Sequence, residues 1–323
     1  MPLLQRRGVN GSRRTIRPMV IGLVGCGRWG SKILRDLRAL GAQVQVVARS
    51  PESVERAELG GADRIVDRVE ALTGADGVVV ATPTSTHAAV LDEVLALGVP
   101  VYVEKPMTVD PESAERLARE AGDRLFVMDK WRHHPGIEAL GEIARSGELG
   151  ETVGVQCVRE SWGSPHRDVD SVWIHLPHDL AIGLEILGEL PPAAAAVAEV
   201  TGGWASGMQA LLGQHPWLSI SHTANAPEHR RHARLSGENG SAWLAGGFED
   251  HIVVAHGHPG EAELVRRPID ADWPLLRELR SFVEHLRGGA PPRSSAAEGA
   301  AIVQRVAELR ALAGLATSGE AGA

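Results

Sequence analysis

Residues 19–30 read Met-Val-Ile-Gly-Leu-Val-Gly-Cys-Gly-Arg-Trp-Gly, and this stretch decides the fold. Its apolar first half predicts a buried strand, and the amphipathic stretch 32–40 predicts a helix directly behind it. The turn between them has the pattern G-x-G-x-x-G, whose glycines permit a tight turn, the close approach of a pyrophosphate, and close packing of helix on strand. The stretch therefore predicts a dinucleotide-binding turn, and a glycine-rich turn without a ligand is the alternative. The residues predicted to bind the cofactor here are Gly25, Gly27, Arg28, Trp29 and Gly30.

The end of the second predicted strand, Gln43–Val47, bears on the choice of cofactor. A site that prefers NAD usually has Asp or Glu there, which accepts hydrogen bonds from the ribose hydroxyls. This chain has Ala48, Arg49 and Ser50 instead. Because a guanidinium and a hydroxyl suit a 2′-phosphate, the sequence favours NADP(H) over NAD(H), with Arg49 and Ser50 in the site. The alternative is that Arg49 is a solvated loop charge and that either cofactor binds.

Strands and helices continue to alternate after this point, which predicts a doubly wound parallel sheet with its ligand at the carboxyl ends of the strands. One strand ends in Thr82 and Pro83, which we expect beside the nicotinamide ribose. His87, in the first turn of the next helix, is either a cofactor contact or a locally bonded helix residue. The predicted strands are 64–66, 77–81, 99–103 and 125–128, and the predicted helices are 51–59, 69–72, 87–97 and 112–121.

The run Val-Tyr-Val-Glu-Lys-Pro-Met at 101–107 places two charged groups at the end of a buried strand. Pro106 cannot donate to a sheet and holds Lys105 in an extended backbone, which fixes the direction of the lysine. We expect Lys105, near the cofactor, to exchange a proton with a substrate oxygen. Glu104 is expected to hold Lys105 or to contact the cofactor domain.

Length, charge and cysteine content narrow the function classes. The chain has 323 residues, a formal net charge of −8 and two cysteines. The acidic balance argues against a nucleic-acid partner, two cysteines cannot form a disulfide framework, and no apolar run reaches membrane-spanning length. We therefore expect a cytoplasmic protein with a small-molecule substrate and without membrane or nucleic-acid partners. The arginine-rich residues 1–17 are predicted to be a disordered tail or the product of a misplaced start codon.

The motifs described so far, taken in their order, resemble the glucose-fructose oxidoreductase, inositol dehydrogenase and MocA family. The glycine turn alone is shared by many dehydrogenases, and the order of the motifs is far more specific. The likeness covers nearly all of the chain after the arginine-rich tail. The segments that carry it are the glycine turn at 24–30, Ala-Thr-Pro at 81–83 with His87, Val-Glu-Lys-Pro at 103–106, residues 143–150 and His-Asp-Leu at 178–180.

The resemblance implies a fold, a reaction and two catalytic residues. The fold is an amino-terminal Rossmann domain followed by a carboxyl-terminal α/β domain with a large open, mostly antiparallel sheet. The reaction is hydride transfer between a nicotinamide and a sugar, a polyol or a nucleotide-linked keto sugar, with Lys105 and His178 as catalytic residues. We therefore divide the chain into a Rossmann domain at 18–130 and a substrate-binding and oligomerisation domain at 131–323, and expect a homodimer or homotetramer.

The second half also reads as a separate unit from its residues alone. Residues 129–135 look like a polar linker, and the short strands that follow, separated by Gly, Pro and Asn, predict an antiparallel sheet with one exposed face. Two helical stretches close the chain and are expected to pack back on the Rossmann domain. The predicted elements are helices 136–146, 275–287 and 296–315 and strands 151–161, 216–223, 232–235, 242–245 and 251–256.

The catalytic set that the family implies is incomplete in this chain. Family members commonly carry an aspartate four residues before the histidine, and Ile174 takes that place here. Either another group replaces the aspartate, or Lys105 and His178 suffice. His178 is predicted to be catalytic or to orient the substrate, the alternative being a helix-entry histidine bonded to backbone, and Asp179 is interpreted as an acid in the first turn of that helix. The candidates for the missing group are His175, Asp170 and His166.

Two further questions remain open at the level of sequence. Trp131 and Arg132 follow the last Rossmann strand and either line the substrate mouth or pack at the interface. The 14 histidines lack companion cysteines or a spaced set of carboxylates, and the adjacent pair His133 and His134 is expected to be solvated, so no metal is predicted.

The alternative functions are reduction of an imine or another non-sugar carbonyl on the same scaffold, and a non-catalytic NADP-binding regulator.

Overall fold

The computed structural model describes residues 17–164, 167–258, 260–270 and 272–319. The predicted tail, apart from residue 17, and the candidate His166 lie outside these ranges. The described chain contains two sheets, one of six strands and one of eight. None of the helices in the described ranges is long and apolar enough to cross a membrane.

The first sheet consists of β1 (Val20–Val24), β2 (Gln43–Val47), β3 (Arg64–Val66), β4 (Gly77–Val80), β5 (Val101–Glu104) and β6 (Leu125–Met128). All of its neighbouring strands are parallel, in the order β3-β2-β1-β4-β5-β6. The predicted doubly wound parallel sheet is confirmed. The chain crosses over between β3 and β4, so the strand order reverses beside β1, and such a switch point opens a crevice at the carboxyl ends of the strands.

Four helices connect these strands, and their sequences explain where they begin. Ser50 caps α2 (Pro51–Leu59) by accepting a hydrogen bond from the backbone of Ser53, and a proline follows at the first helical position. Asp110 caps α4 (Pro111–Ala121) in the same way. The predicted helix at 69–72 is a single 3-10 turn, Val69–Ala71. The other two connecting helices are α1 (Gly30–Ala39) and α3 (His87–Leu95).

The second sheet has eight strands: β7 (Thr152–Trp162), β8 (Ala193–Thr201), β9 (Trp204–Leu212), β10 (Trp217–Thr223), β11 (Asn225–Gly237), β12 (Gly240–Leu244), β13 (His251–His256) and β14 (Glu263–Pro268). They lie in the order β14-β13-β12-β11-β7-β10-β9-β8. One pair, β7 with β10, is parallel, and the other neighbours are antiparallel. The large, mostly antiparallel sheet that the resemblance implies is therefore confirmed.

Three of these strands, β8, β9 and β14, are absent from the strands expected from the sequence. Strand β8 reads Ala-Ala-Ala-Ala-Val-Ala-Glu-Val-Thr, and alanine favours helices and is depleted in strands. Pairing with β9 along its length makes it a strand. Strand β14 is a largely exposed edge strand with three charged residues, so it lacks the alternation of a half-buried strand.

Helix α6 (Ser171–Leu187) packs on β7, β9 and β10 and against α5 (Pro135–Ser146), and nearly all of its side chains are buried. Asp170 is its N-cap and accepts hydrogen bonds from the backbone of the first helical turn. His178 and Asp179 therefore lie in the middle of the helix. The interpretation of Asp179 as a first-turn acid is wrong, and so is the alternative of His178 as a helix-entry residue.

The last two helices, α7 (Pro274–Leu286) and α8 (Ala296–Leu312), cover the six-stranded sheet. Helix α7 packs against α1, and its Phe282 ring lies 5.0 Å from the ring of Tyr102 in β5. Helix α8 packs against α4 and β6. A capping box between Ser295 and Glu298 fixes the start of α8. Both helices are thus tied to the first sheet by apolar contacts.

Residues 129–135 are not the polar linker that the sequence predicts, because most of their side chains, including those of both histidines, are buried. The expectation that these histidines are solvated is therefore wrong. Arg132 pairs with Glu185 of α6 at 3.0 Å and with Glu298 of α8 at 3.0 Å, and Arg293 donates to the carbonyl of Arg132 at 2.9 Å. Carboxylates from distant parts of the chain thus compensate the buried positive charge of Arg132.

Candidate active site

A cavity of about 1030 Å3 opens at the carboxyl ends of the six-stranded sheet. It runs from the glycine turn after β1, past the ends of β2 and β4, to the end of β5 and the middle of α6. Of the predicted site residues, those that line it are Gly25, Gly27, Arg28, Trp29, Arg49, Ser50, Thr82, Pro83, Glu104, Lys105, His87, His175 and His178. Those that do not line it are Gly30, Trp131, Arg132 and Asp170.

The glycine turn has the space that a dinucleotide needs. Gly25 has a φ of +93°, and a Cβ there would lie 2.7 Å from the carbonyl oxygen of Ala81. A Cβ on Gly30 would lie 2.3 Å from the carbonyl oxygen of Gly25. A Cβ on Gly27 would meet no atom of the described residues within 4 Å. Packing of the chain thus explains two of the glycines, and the open space at Gly27, on the cavity wall, fits an approaching pyrophosphate.

At the far end of the cavity, beside β2, the lining side chains are basic or hydroxylic: Arg49, Ser50, Ser53 and Arg56. Within the fully described stretch 47–56, no carboxylate lines this end. Arg49 is largely exposed, donates to the carbonyl of Asp67 at 3.2 Å and lies 3.5 Å from a carboxylate oxygen of Glu93. This end can therefore receive a group that carries negative charge.

His87 joins two strand ends. Its Nδ1 lies 2.8 Å from the carbonyl oxygen of Pro106, and its Nε2 lies 3.1 Å from that of Thr82. Burial lowers the pKa of this histidine. The neutral ring donates its one N–H to one of these two carbonyl oxygens and packs against the other, so His87 lies between the loops that carry Thr82 and Lys105. The peptide bond between Lys105 and Pro106 in this loop is cis.

Glu104 connects the glycine turn to the lysine loop. The indole Nε1 of Trp29 donates to one carboxylate oxygen of Glu104, and the backbone N–H of Lys105 donates to the other at 3.2 Å. The ammonium groups of Lys32 and Lys130 lie 5.0 Å and 4.7 Å from the centre of the Trp29 ring. Burial raises the pKa of Glu104, and the charge of Lys105 opposes that rise. Glu104 thus links Trp29 of the glycine turn to the backbone of Lys105.

Lys105 reaches across the cavity to α6. Its Nζ donates to the carbonyl oxygen of Ile174 at 3.0 Å. Burial lowers the pKa of Lys105 to about 8, against the opposing effects of Glu104 and Asp129. A lysine with this pKa populates both its ammonium and its neutral amine near neutral pH, as proton exchange with a substrate requires.

His178 has a carboxylate partner that the sequence analysis missed. Its Nδ1 lies 3.4 Å from Oδ1 of Asp129, the residue that follows β6. Burial raises the pKa of Asp129 to about 7, and burial together with Lys105 and Arg159 keeps the pKa of His178 well below its usual value. The sequence signal for Asp129 is its place directly after a buried strand, whereas the polar residues that follow it predict a linker.

His175 lines the cavity one helical turn before His178. It is 9% exposed, and neither of its ring nitrogens has a hydrogen-bond partner within the described residues. Its ring lies 4.7 Å from that of His222, whose Nε2 is 2.7 Å from Oγ of Ser171. Burial, followed by the neighbouring His222 and Arg159, keeps the pKa of His175 well below its usual value. The cavity therefore receives a neutral imidazole with unused hydrogen-bonding capacity.

The other candidates have structural partners outside the cavity. Asp170 pairs with Arg310 at 2.8 Å in addition to capping α6. Asp179 accepts hydrogen bonds from Nε and Nη2 of Arg159 at 2.7 to 3.0 Å. The same guanidinium lies 5.1 Å from the centre of the Trp131 ring. Trp131 and Arg132 are thus buried among these partners and do not line the cavity. Among the described residues, no group of three or more His, Cys, Asp or Glu side chains is arranged to hold a metal ion.

This combination of a Rossmann sheet, an open glycine turn and a lysine at the end of a strand defines a class, the dinucleotide-binding oxidoreductases. Residues 19–128 match the model of the GFO/IDH/MocA family, described as an oxidoreductase family with an NAD-binding Rossmann fold. The Rossmann part of the chain therefore matches this family, and the resemblance carried by the motifs in that part is confirmed.

An inositol 2-dehydrogenase of Arthrobacter sp. (strain FB24) is 34% identical over 144 residues, which are 41% of this chain and 42% of that protein. The match thus spans less than half the length of this relative. The structure of UDP-N-acetylglucosamine 3-dehydrogenase GnnA from Acidithiobacillus ferrooxidans has a TM-score of 0.79 and 23% identity over 92% of this chain and 98% of that chain. The structure of KijD10, a 3-ketoreductase from Actinomadura kijaniata solved with TDP-benzene and NADP, has a TM-score of 0.78 and 22% identity, over 91% and 97%. These two structures show a shared fold.

Proposed function

We propose that the chain is an NADP(H)-dependent oxidoreductase that transfers a hydride between the nicotinamide and a sugar, a polyol or a nucleotide-linked keto sugar. The observation that carries this proposal is the continuous cavity that joins the open glycine turn to Lys105 and His178. Two relatives, an inositol 2-dehydrogenase and a UDP-N-acetylglucosamine 3-dehydrogenase, support this class of substrate.

The preference for NADP(H) is supported by the cavity end beside β2. A 2′-phosphate placed there would meet two guanidinium groups and two hydroxyls, from Arg49, Ser50, Ser53 and Arg56. NAD would lack the carboxylate that usually accepts from its ribose hydroxyls. Arg49 is largely exposed, and its contacts with Asp67 and Glu93 are long, at 3.2 and 3.5 Å, so its guanidinium can turn to the phosphate.

Replacement of Arg49 by Gln tests this preference. We expect the wild-type chain to bind NADP more tightly than NAD, and R49Q to weaken NADP binding by roughly tenfold, since a charged hydrogen bond contributes about 1.5 kcal/mol or more. NAD binding should stay within about twofold. Arg64→Gln, in β3 and away from the cavity, is the matched control. Equal or tighter NAD binding by the wild type, measured by titration calorimetry, would overturn the preference.

The reaction divides between the cofactor and the chain. When bound, the cofactor supplies the nicotinamide carbon that gives or takes the hydride. In the oxidation direction, the neutral amine of Lys105 takes the proton of the substrate hydroxyl, and in reduction the ammonium returns a proton to the carbonyl oxygen. Glu104 and the carbonyl of Ile174 hold the two ends of this lysine. His178 completes the polar surface around the reacting oxygen.

His175 supports the choice of a hydroxylated substrate. A buried imidazole with two unpartnered nitrogens is costly, and a bound group would satisfy it. Because its pKa is lowered, the ring is neutral near pH 7 and offers one donor and one acceptor. A hydroxyl group, which is both donor and acceptor, is complementary to it. We therefore include His175 among the substrate contacts.

Hydride transfer is tested with NADPH and a panel of keto sugars, and with NADP and the corresponding polyols, by following the absorbance of the reduced nicotinamide. We expect turnover with at least one member of the panel. Lys105→Ala should lower the turnover number by roughly 10²- to 10⁴-fold while cofactor affinity stays within about threefold. Tight NADP binding without turnover on any member would contradict the enzyme and favour a regulator.

We also propose that the protein acts as a homodimer or homotetramer in the cytoplasm. Val197 of β8 and Leu211 of β9 are exposed, and the pairing of Ala195 with Leu211 places both on the same face of the sheet. Cys26 and Cys157 are both buried and unpaired, in keeping with a reducing compartment. Light scattering in solution tests the assembly, and a monomer at micromolar concentration would contradict it.

A further inference from the structure

We propose that Asp129 is the positioning residue of His178: it binds the Nδ1–H of the imidazole, so that Nε2 faces the substrate as an acceptor for a hydroxyl next to the reacting one. This inference rests on the proposed hydride transfer at Lys105. It assigns a function to a carboxylate that lies outside α6 and that neither the motifs nor the family resemblance marks.

The backbone places Asp129 next to the reacting end of the cavity. Parallel pairing sets Met128 of β6 level with Glu104 of β5, so Asp129 and Lys105 are the next residues of two adjacent strands. Asp129 is 2% exposed, and its Oδ1 accepts from the backbone N–H of Trp131 at 3.1 Å and faces Nδ1 of His178 at 3.4 Å. The carboxylate is thus aimed at the histidine by its own turn.

The segment behind Asp129 is held in place by ion pairs. Arg132 is fixed to Glu185 and Glu298, each at 3.0 Å, and Arg293 binds both the carbonyl of Arg132 and Glu185. These contacts come from α6, from α8 and from the loop before α8, and α6 also carries His178. The carboxylate and the imidazole are therefore fixed to the same framework, as the orientation of a catalytic side chain requires.

The chemistry of a buried neutral imidazole explains what the carboxylate does. Burial and the charges of Lys105, Arg159 and Lys130 keep His178 neutral at pH 7, so one ring nitrogen carries a proton and the other accepts. Because the pKa of Asp129 is about 7, the carboxylate is mostly ionised at pH 8, where it can accept and cannot donate, and this places the proton on Nδ1. Nε2, on the opposite edge of the ring, is then an acceptor for a substrate hydroxyl next to the one that reacts with Lys105.

Other carboxylates near His178 are committed elsewhere. Asp179, its neighbour in α6, is bound by both ends of the Arg159 guanidinium. Asp170 is bound by Arg310 and by the first helical turn. The residue four positions before His178 on α6 is the apolar Ile174. Of the described carboxylates, Asp129 is the one in contact with the imidazole.

Nitrogen-15 NMR of the full chain labelled in histidine tests the tautomer without any substrate. At pH 8, with cofactor present, we expect His178, assigned by its loss in His178→Gln, to carry its proton on Nδ1. In Asp129→Asn the amide can donate to Nδ1, so the proton should move to Nε2. Glu278→Gln, which changes another buried carboxyl of the cavity wall, is the matched control and should leave the Nδ1–H signal in place.

Kinetics give the second readout. With a substrate of the panel, D129N should lower the turnover number for oxidation by roughly 10²-fold or more, with KM and cofactor affinity within about threefold. Ile174→Asp places a carboxylate one helical turn from His178, where side chains at i and i+4 meet. Added to D129N, it should restore Nδ1 protonation and at least tenfold of the lost rate.

The outcomes separate this inference from the proposed function. An Nδ1–H signal that persists in D129N, or an Nε2–H signal in the wild type, overturns the role of Asp129 whatever the activity. If D129N does not fold, as judged by loss of NADP binding, the wild-type tautomer and its titration decide alone. The predicted tautomer together with no turnover on any substrate leaves the positioning contact established and contradicts the hydride transfer.

Discussion

The pKa of Lys105 is lowered to about 8 because the cavity wall removes water from its ammonium group. The neighbouring carboxylates Glu104 and Asp129 oppose that shift, while the cations Lys130 and Arg159 add to it. The lysine therefore sits between two opposing sets of charges, and its protonation responds to any further charge brought into the cavity.

The two reaction directions should depend on pH with opposite signs. Oxidation needs the neutral amine, so kcat/KM should rise as pH increases through the pKa of Lys105, and reduction needs the ammonium, so it should fall over the same range. A positively charged oxidised nicotinamide lowers the pKa further, so within the ternary complexes the midpoint for kcat in oxidation should lie at lower pH than in reduction.

Lys105→Arg is the control for this profile, because it keeps the charge and does not lose its proton in this range. It should abolish the rise in oxidation rate that is centred near pH 8. Profiles with the same sign in both directions, measured with one substrate pair, would exclude Lys105 as the proton-exchanging group.

At the scale of the element, the turn between β1 and α1 divides its three glycines between folding and binding. Gly25 and Gly30 are required by contacts within the chain, since a Cβ at either would approach a backbone oxygen closer than 3 Å. Gly27 is not among the residues with positive φ, and space is open above it. The same motif therefore contains positions with different consequences for substitution.

Two alanine variants should separate these consequences. Gly27→Ala should change the free energy of unfolding by less than about 0.5 kcal/mol and weaken NADP binding by at least tenfold, because its methyl group occupies the space of the pyrophosphate. Gly30→Ala should cost about 1–3 kcal/mol of stability, because the helix must shift away from Gly25. Urea unfolding and calorimetric titration measure the two quantities, and unchanged affinity in G27A would place the cofactor elsewhere.

At the scale of the whole molecule, a network of charged side chains, with Arg132 and Glu185 buried at its centre, ties the segment after β6 to three helices. Arg132 and Arg293 each contact two carboxylates, drawn from Glu138 of α5, Glu185 of α6 and Glu298 of α8. Ion pairs in such surroundings are costly to break because the remaining partner keeps its buried charge. The network therefore holds the two sheets' connecting segment in one arrangement.

Arg132→Met should lower the free energy of unfolding by about 3 kcal/mol, the lower end of the range for breaking a buried pair, because Arg293 remains beside Glu185. Arg116→Met, which removes an exposed pair with Asp92, should cost less than about 1 kcal/mol. Urea unfolding of both variants at one pH compares them. Equal losses would show that the network adds no more than a surface pair.

The features that local sequence patterns predict are those that depend on residues close together in the chain. Strands β1 to β6 and the glycine turn were predictable because apolar runs, caps and turn residues determine them within a few positions. Strand β8 was not, because its alanines become a strand through pairing with β9. Nor was the burial of residues 129–135, whose compensating carboxylates lie more than fifty positions away. The contact between Asp129 and His178 was not predictable either, because the two residues are distant in sequence and meet only through the packing of α6.

Trp29 has an optical consequence. Its indole lies on the cavity wall, bonded to Glu104 and flanked by Lys32 and Lys130. Reduced nicotinamides absorb light in the range where indole emits, and resonance energy transfer falls steeply with distance. Among the 8 tryptophans of the chain, Trp29 lies in the glycine turn itself, so a bound reduced cofactor would quench its emission. The fold thus contains its own fluorescent reporter of cofactor occupancy and redox state.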